Sequence, residues 1–194
     1  MPLAAATTDD FGNSKVAVTE VKLAPGEHET VIGRHPSVVV YLSGSQAQIR
    51  FANGKVKRES IVRGEALQEP AAAGVLTNTG RVPLRLVRVE FLTAGGHETW
   101  GRTGLAPNYQ MIFEDQFSRT YNIRVAAHAT EPQHTHHDRV VVCLDGAQLE
   151  HILPDGSKQI STLKTGEVTW RPGQTHVGHN LGGTNLWVVA IEPK

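Results

Sequence analysis

A chain of 194 residues with 19 basic and 19 acidic side chains has a formal charge of zero. That balance excludes a bulk electrostatic nucleic-acid binder, which needs a surplus of Lys and Arg to neutralise phosphates. Hydrophobic residues at 39% and charged residues at 20% exclude a disordered tail, and a single cysteine, Cys143, excludes an intrachain disulfide and Cys-rich zinc sites.

In chain order, MPLAAATTDD lacks the charged start and apolar stretch of a signal peptide, which predicts a cytoplasmic protein. The alternative is an exported protein whose signal has been removed, since small residues such as Ala4, Ala5 and Ala6 also flank cleavage sites. No apolar run approaches the roughly 18 residues of a membrane span, so no membrane partner is expected. KVAVTEVKLAPG (15–26) alternates apolar and polar residues and ends at Pro25-Gly26, a strand and then a turn. VVVYLSG (38–44) is a β-branched run closed by Gly44. QAQIRFANGK (46–55) places Asn53-Gly54 between two strands, a strong hairpin signal. PLRLVRVEF (83–91) is one more alternating strand, and the Gly-rich residues 94–110 read as a linker. The same punctuation then returns: VVVCLDG (140–146), HILPDGSKQI (151–160) with Asp155-Gly156 at its tip, and NLWVVAIEP (185–193).

That return is a repeat. Sliding the chain by 102 residues lays HPSVVVYLSG (35–44) on HDRVVVCLDG (137–146), Gly64-Glu65 on Gly166-Glu167, Pro70 on Pro172, Asn78 on Asn180 and Glu90 on Glu192. The expectation is an all-β chain of two tandem copies, residues 1–93 and 111–194, joined by 94–110 and packed on each other within the chain, with further oligomerisation open. The shared Asn, Pro and Gly positions read as turn chemistry. Strand spacing alone leaves a small barrel or jelly roll level with an immunoglobulin-like sandwich.

Histidines decide between them. Copy two contains His134, His136 and His137, and forty residues on His176 and His179. Strand alternation puts His134 and His136 on one face. A third imidazole from a distant strand would complete an open site for Zn, Fe, Mn, Ni or Cu.

With these residues the chain resembles the cupin superfamily. Its second motif is matched by Gly166, Pro172, His176 and Asn180, one residue short beside Pro172-Gly173; its first is matched by His134, His136 and Gly146. The resemblance covers both copies and implies a bicupin, two cupin-type jelly-roll barrels, with one divalent transition metal in the C-terminal barrel. The Glu of the first motif is absent: counting back from Gly146 lands on Arg139, and the interval from His136 to Gly146 is one residue short. A β-bulge near His137 would absorb this; otherwise His137 would face inward in place of His136. The metal ligands are therefore read as His134, His136 and His176, with His137, Asp138 and His179 as additional ligands or their supports, and Arg124 and Trp170 as substrate-binding candidates. At the 102-residue offset the trio becomes Ile32, Arg34 and Gly74, so the N-terminal barrel is degenerate and should hold no metal. His35, opposite His137, reads as structural, as do the scattered His28, His97, His128 and His151, and Cys143 reads as a buried hydrophobe.

The resemblance implies oxygenase, isomerase or decarboxylase chemistry on a small organic molecule. Metal motifs absent from one copy argue against the oxalate decarboxylase-like subclass. The alternative is a non-catalytic barrel that binds or senses a small ligand, with a structural metal or none.

Overall fold

The computed structural model describes residues 6–194, and the side chains of residues 6–10 and of Ile32 lie outside the described residues. The chain folds as two compact units, Met1–Ala94 and Gly95–Lys194. No helix among the described residues is long and apolar enough to cross a membrane.

The first unit contains β1 (Ala6–Gly12), β2 (Val16–Leu23), β3 (His28–Ile32), β4 (Ser37–Tyr41), β5 (Ser45–Phe51), β6 (Val56–Ile61), β7 (Ala66–Glu69), β8 (Ala73–Asn78) and β9 (Leu84–Phe91). They form two antiparallel sheets ordered β1-β2-β9-β4-β7 and β3-β8-β5-β6. In the second unit follow β10 (Gln110–Glu114), β11 (Ser118–Val125), β12 (His134–His136), β13 (Arg139–Asp145), β14 (Ala147–Ile152), β15 (Lys158–Leu163), β16 (Val168–Arg171), β17 (Gln174–Asn180) and β18 (Leu186–Pro193). Their sheets run β10-β11-β18-β13-β16 and β12-β17-β14-β15, the same order with each strand number raised by nine. Register repeats too. Val38 pairs with Val89 and Val140 with Ile191, a shift of 102 at both ends.

Local chemistry explains the shared elements. Alternating strands bury every second side chain: Val21, Leu23, Tyr41, Leu76 and Leu86 in the first core, Ile123, Val125, Val141, Leu149 and Val188 in the second. Cys143 is fully buried within the second core, as a small apolar side chain would be. The hairpin glycines Gly54 and Gly156 take φ of 83° and 82°, a left-handed turn conformation suited to glycine. Asn78 and Asn180 do equivalent work. Each is fully buried, accepts the backbone N–H two residues on (Gly80, Gly182), and donates its Nδ2 to carbonyls of two separated segments, Leu23 and Val82 in one unit and Val125 and Thr184 in the other.

One stretch breaks the 102-residue correspondence. His28 pairs with Thr77 and Thr130 with His179, differences of 102 and 102. Val31 pairs with Gly74 but His134 with His176, differences of 103 and 102. The extra residue falls among 131–133. The register closes again because Asp138 alone separates His137 from Arg139, where His35 and Pro36 separate Arg34 from Ser37. The counterparts of His134 and His136 are thus Val31 and Gly33 rather than Ile32 and Arg34, and His137 matches Arg34, not His35. The short interval from His136 to Gly146 is taken up in the turn at Asp138, whose Oδ1 accepts the Gly173 N–H at 2.8 Å.

Of residues 94–110, read above as a linker, all but Ala94 belong to the second unit. Ala106 and Tyr109 belong to its core. The Arg119 guanidinium donates to the carbonyls of Gly101 and Thr103, and the Gly104 carbonyl accepts the Thr135 N–H at 2.7 Å. Those carbonyls need partners, and β11 and β12 supply them.

Candidate metal centre

Strand β12 presents His134 and His136 inward, 4% and 3% exposed, with Thr135 outward between them. Its antiparallel partner β17 sets His176, 3% exposed, directly opposite His134. One ring nitrogen from each of the three lies within 4.8 Å of the others. Burial lowers the pKa of His136 to about 3 and that of His176 to about 2, and nearby positive charge adds to the effect on His176. Both are neutral imidazoles at pH 7, each with a lone pair to offer.

Hydrogen bonds set the tautomers. Nδ1 of His134 lies 2.8 Å from the carbonyl of Pro132, which only accepts, so Nδ1 carries the proton. Nδ1 of His136 lies 2.7 Å from the Tyr121 hydroxyl, which itself donates to Glu192 Oε1 at 2.7 Å. That hydroxyl has one proton, given to the carboxylate, so its oxygen accepts from Nδ1–H. Glu192 is held ionised. Burial opposes the charge, but the neighbouring His136 ring, the Arg119 guanidinium and the Tyr121 hydroxyl outweigh it and lower the Glu192 pKa. Arg119 Nε donates to Glu192 Oε2 at 2.7 Å, and both side chains are fully buried. As a result, the Nε2 lone pairs of His134 and His136 face one another at 3.1 Å. Two lone pairs at that distance repel unless a cation lies between them. Two nitrogens about 2.1 Å from one ion and at a right angle stand about 3 Å apart. Nδ1 of His176 is buried without a hydrogen-bond partner. The donor set therefore fits a divalent transition metal.

His136 and His176 line a cavity of about 310 Å³ together with Tyr109, Glu131, Arg139, His151 and Arg171. The Tyr109 hydroxyl lies 3.0 Å from His134 Nε2 and donates to Glu131 Oε2 at 3.2 Å. Burial raises the Glu131 carboxyl above its ordinary range and the Tyr109 phenol far above its own. The His151 ring meets that of His176 edge-on at 4.6 Å; it is a cavity residue, not one of the scattered histidines it was grouped with.

Other candidates lie apart from the trio. His137 is exposed and stacks on Trp100 at 4.1 Å, while its backbone N–H donates to Glu192. Asp138 braces the turn at Gly173. His179 points to the other face of β17, with Nδ1 at 3.9 Å from Glu150. Arg124 is exposed and lies over the Trp187 ring at 3.8 Å, outside the cavity. Trp170 pairs with Val140 on β13 and does not line the cavity either. Sequence reasoning missed Tyr109, Tyr121, Glu131 and Glu192. The Glu90/Glu192 match was the available signal: Glu90 accepts the Arg34 N–H as Glu192 accepts that of His137.

Solved structures share this arrangement of strands. AerE from Microcystis aeruginosa aligns at TM-score 0.67 with 12% identity, over 98% of each chain. A cupin 2 conserved barrel domain protein from Leptotrichia buccalis aligns at 0.62 with 15% identity, over 100% of this chain and 91% of that one. The chain has the cupin fold. Bacillus subtilis oxalate decarboxylase, studied for its Mn(II) centres, aligns at 0.61 with 11% identity, covering 92% of this chain and 69% of the other. No protein-family model and no curated protein matches the sequence. The cupin likeness covers both units, so the chain is a bicupin in fold, and identities this low carry fold and no activity.

Proposed function

We propose that the second cupin barrel binds one divalent transition metal through His134, His136 and His176, and that the protein acts there on a small organic molecule. The observation that carries this reading is the opposed pair of Nε2 lone pairs at 3.1 Å, with His176 beside them. Three imidazoles accept Zn, Fe, Mn, Ni or Cu; Mn(II) has a further argument in the Bacillus subtilis decarboxylase of the same fold. A three-nitrogen site would leave coordination positions open, and a metal held there by His134, His136 and His176 would supply Lewis-acid or redox chemistry to a small organic molecule. The chain's own part is to hold the ligands in one tautomer through Pro132, Tyr121, Glu192 and Arg119, and to supply a part-apolar cavity beside them.

Elemental analysis of purified variants tests the ligand set. His176→Ala should largely empty the site, while His179→Ala retains metal; a metal-replete His176→Ala protein would sink the assignment. An anaerobic metal titration followed by an oxygen-uptake screen over small acids, phenolics and sugars then separates an enzyme from a barrel that only binds its ligand.

A further inference from the structure

Arg139 opens β13 in the place where the cupin motif carries Glu, and the exchange inverts the charge at the cavity wall. Its side chain is 6% exposed, and its guanidinium donates only two long hydrogen bonds, from one terminal nitrogen to the carbonyls of His137 and Pro172, at 3.3 Å each. Its Nε is buried with no partner. Arg171 lines the same cavity, half-buried. No carboxylate among the described residues pairs with either; Glu131, the acid on this cavity, is engaged by Tyr109 and Asn108. A buried guanidinium without a counter-ion costs several kcal/mol unless an anion joins it, and its planar fork matches a carboxylate.

We propose that this cavity takes a small organic carboxylate, seated on Arg139 with Arg171 at the rim, beside the histidine trio. The proposal rests on the reading of this cavity as the working site and adds the class of molecule it takes. Here the anion supplies the negative charge that the missing Glu does not. Polar groups from the other sheet, Gln159, Ser161 and Gln174, line the same cavity and suit an acid carrying further oxygens.

The test uses the full-length protein as purified, with its metal content measured alongside. Glycolate, succinate and benzoate are each titrated against the matching amide by calorimetry and by thermal shift. At least one acid should bind and raise Tm, with its amide at least about 30-fold weaker, the scale of removing one partner from a buried charged hydrogen bond. Arg139→Gln should lose at least about 30-fold for that acid at unchanged metal content, and Arg139→Lys should recover part of it. Arg139→Met guards against misfolding: it removes an uncompensated buried charge, so without added acid its Tm should match or exceed that of the wild type, and no acid should raise it. Acid and amide binding alike, Arg139→Gln binding as the wild type does, or no acid binding at all overturns the proposal. Arg139-dependent acid binding to a protein that holds no metal would sustain the proposal while refuting the metal reading, and a metal-replete protein indifferent to carboxylates would do the reverse.

Discussion

Tyr121 and Glu192 meet through a 2.7 Å hydrogen bond between the phenol and Oε1, and the same hydroxyl lies 2.7 Å from Nδ1 of His136. A charge balanced deep in the sheet by Arg119 is thereby conveyed to the ring that faces the cavity. Tyr121→Phe keeps the ring and removes the conveyance. The expected result is a folded protein whose metal affinity drops about 10–100-fold, measured by competition with a coloured chelator. Glu192→Ala, which strands Arg119 in the core, should cost about 3–5 kcal/mol in denaturant unfolding.

Metal stoichiometry separates the two units. In the first, Val31, Gly33 and Gly74 stand where the second has His134, His136 and His176. The expected content is about one equivalent per chain, falling to near zero in a His134→Ala, His136→Ala double variant. Retention of a full equivalent in that variant would place the ion elsewhere.

Asn78 and Asn180 offer a matched pair of stability probes. Each is buried and ties separate segments of its own unit together. Replacing either with Ala leaves several buried backbone groups without partners, and a loss of about 3 kcal/mol is expected at each site. Differential scanning calorimetry should show comparable losses. A cost confined to Asn180 would tie that residue to the metal site instead of the turn.

Acid should weaken the first unit through Glu20. Burial resists ionisation of this carboxyl, but hydrogen bonds from Lys22 and Arg85 more than offset it and leave the folded-state pKa below 4.5. The unfolded chain therefore binds the proton at higher pH than the folded one. The contribution is complete above the ordinary pKa of 4.5 and disappears as pH falls through the lower, folded value. Glu20→Gln should cost about 1 kcal/mol at neutral pH, and its melting curve should converge on that of the wild type as pH falls from 4.5 through the lower, folded value. A gap that persists in acid would mean that packing, not charge, accounts for the loss.

Much of this architecture was legible in one dimension, because its determinants are local and periodic. Period-two alternation, the Asn-Gly and Asp-Gly tips and the 102-residue repeat between the VVVYLSG and VVVCLDG runs prescribe strands and turns with no reference to distant residues. His134 and His136 share a face for the same reason, since a strand alternates whatever lies around it.

The site's surroundings were decided only in three dimensions. A single residue gained among 131–133 and lost at Asp138 leaves the sequence offset unbroken while sliding β12 by one position against its counterpart; only pairing with β17 reveals which residues correspond. Tyr109 arrives from a glycine-rich stretch that has no strand pattern and whose carbonyls accept hydrogen bonds from the Arg119 guanidinium of β11 and the Thr135 N–H of β12. The Arg119–Glu192–Tyr121 chain joins residues up to 73 positions apart across neighbouring strands. Arg139 acquires meaning once it is seen buried without a counter-ion. The sequence by itself determined two copies of one all-β unit and a cluster of histidines, because strand and turn propensities act over a few residues. The tertiary structure decided which side chains orient those histidines and what charge faces them, because burial and hydrogen-bond partnership depend on which distant strands meet.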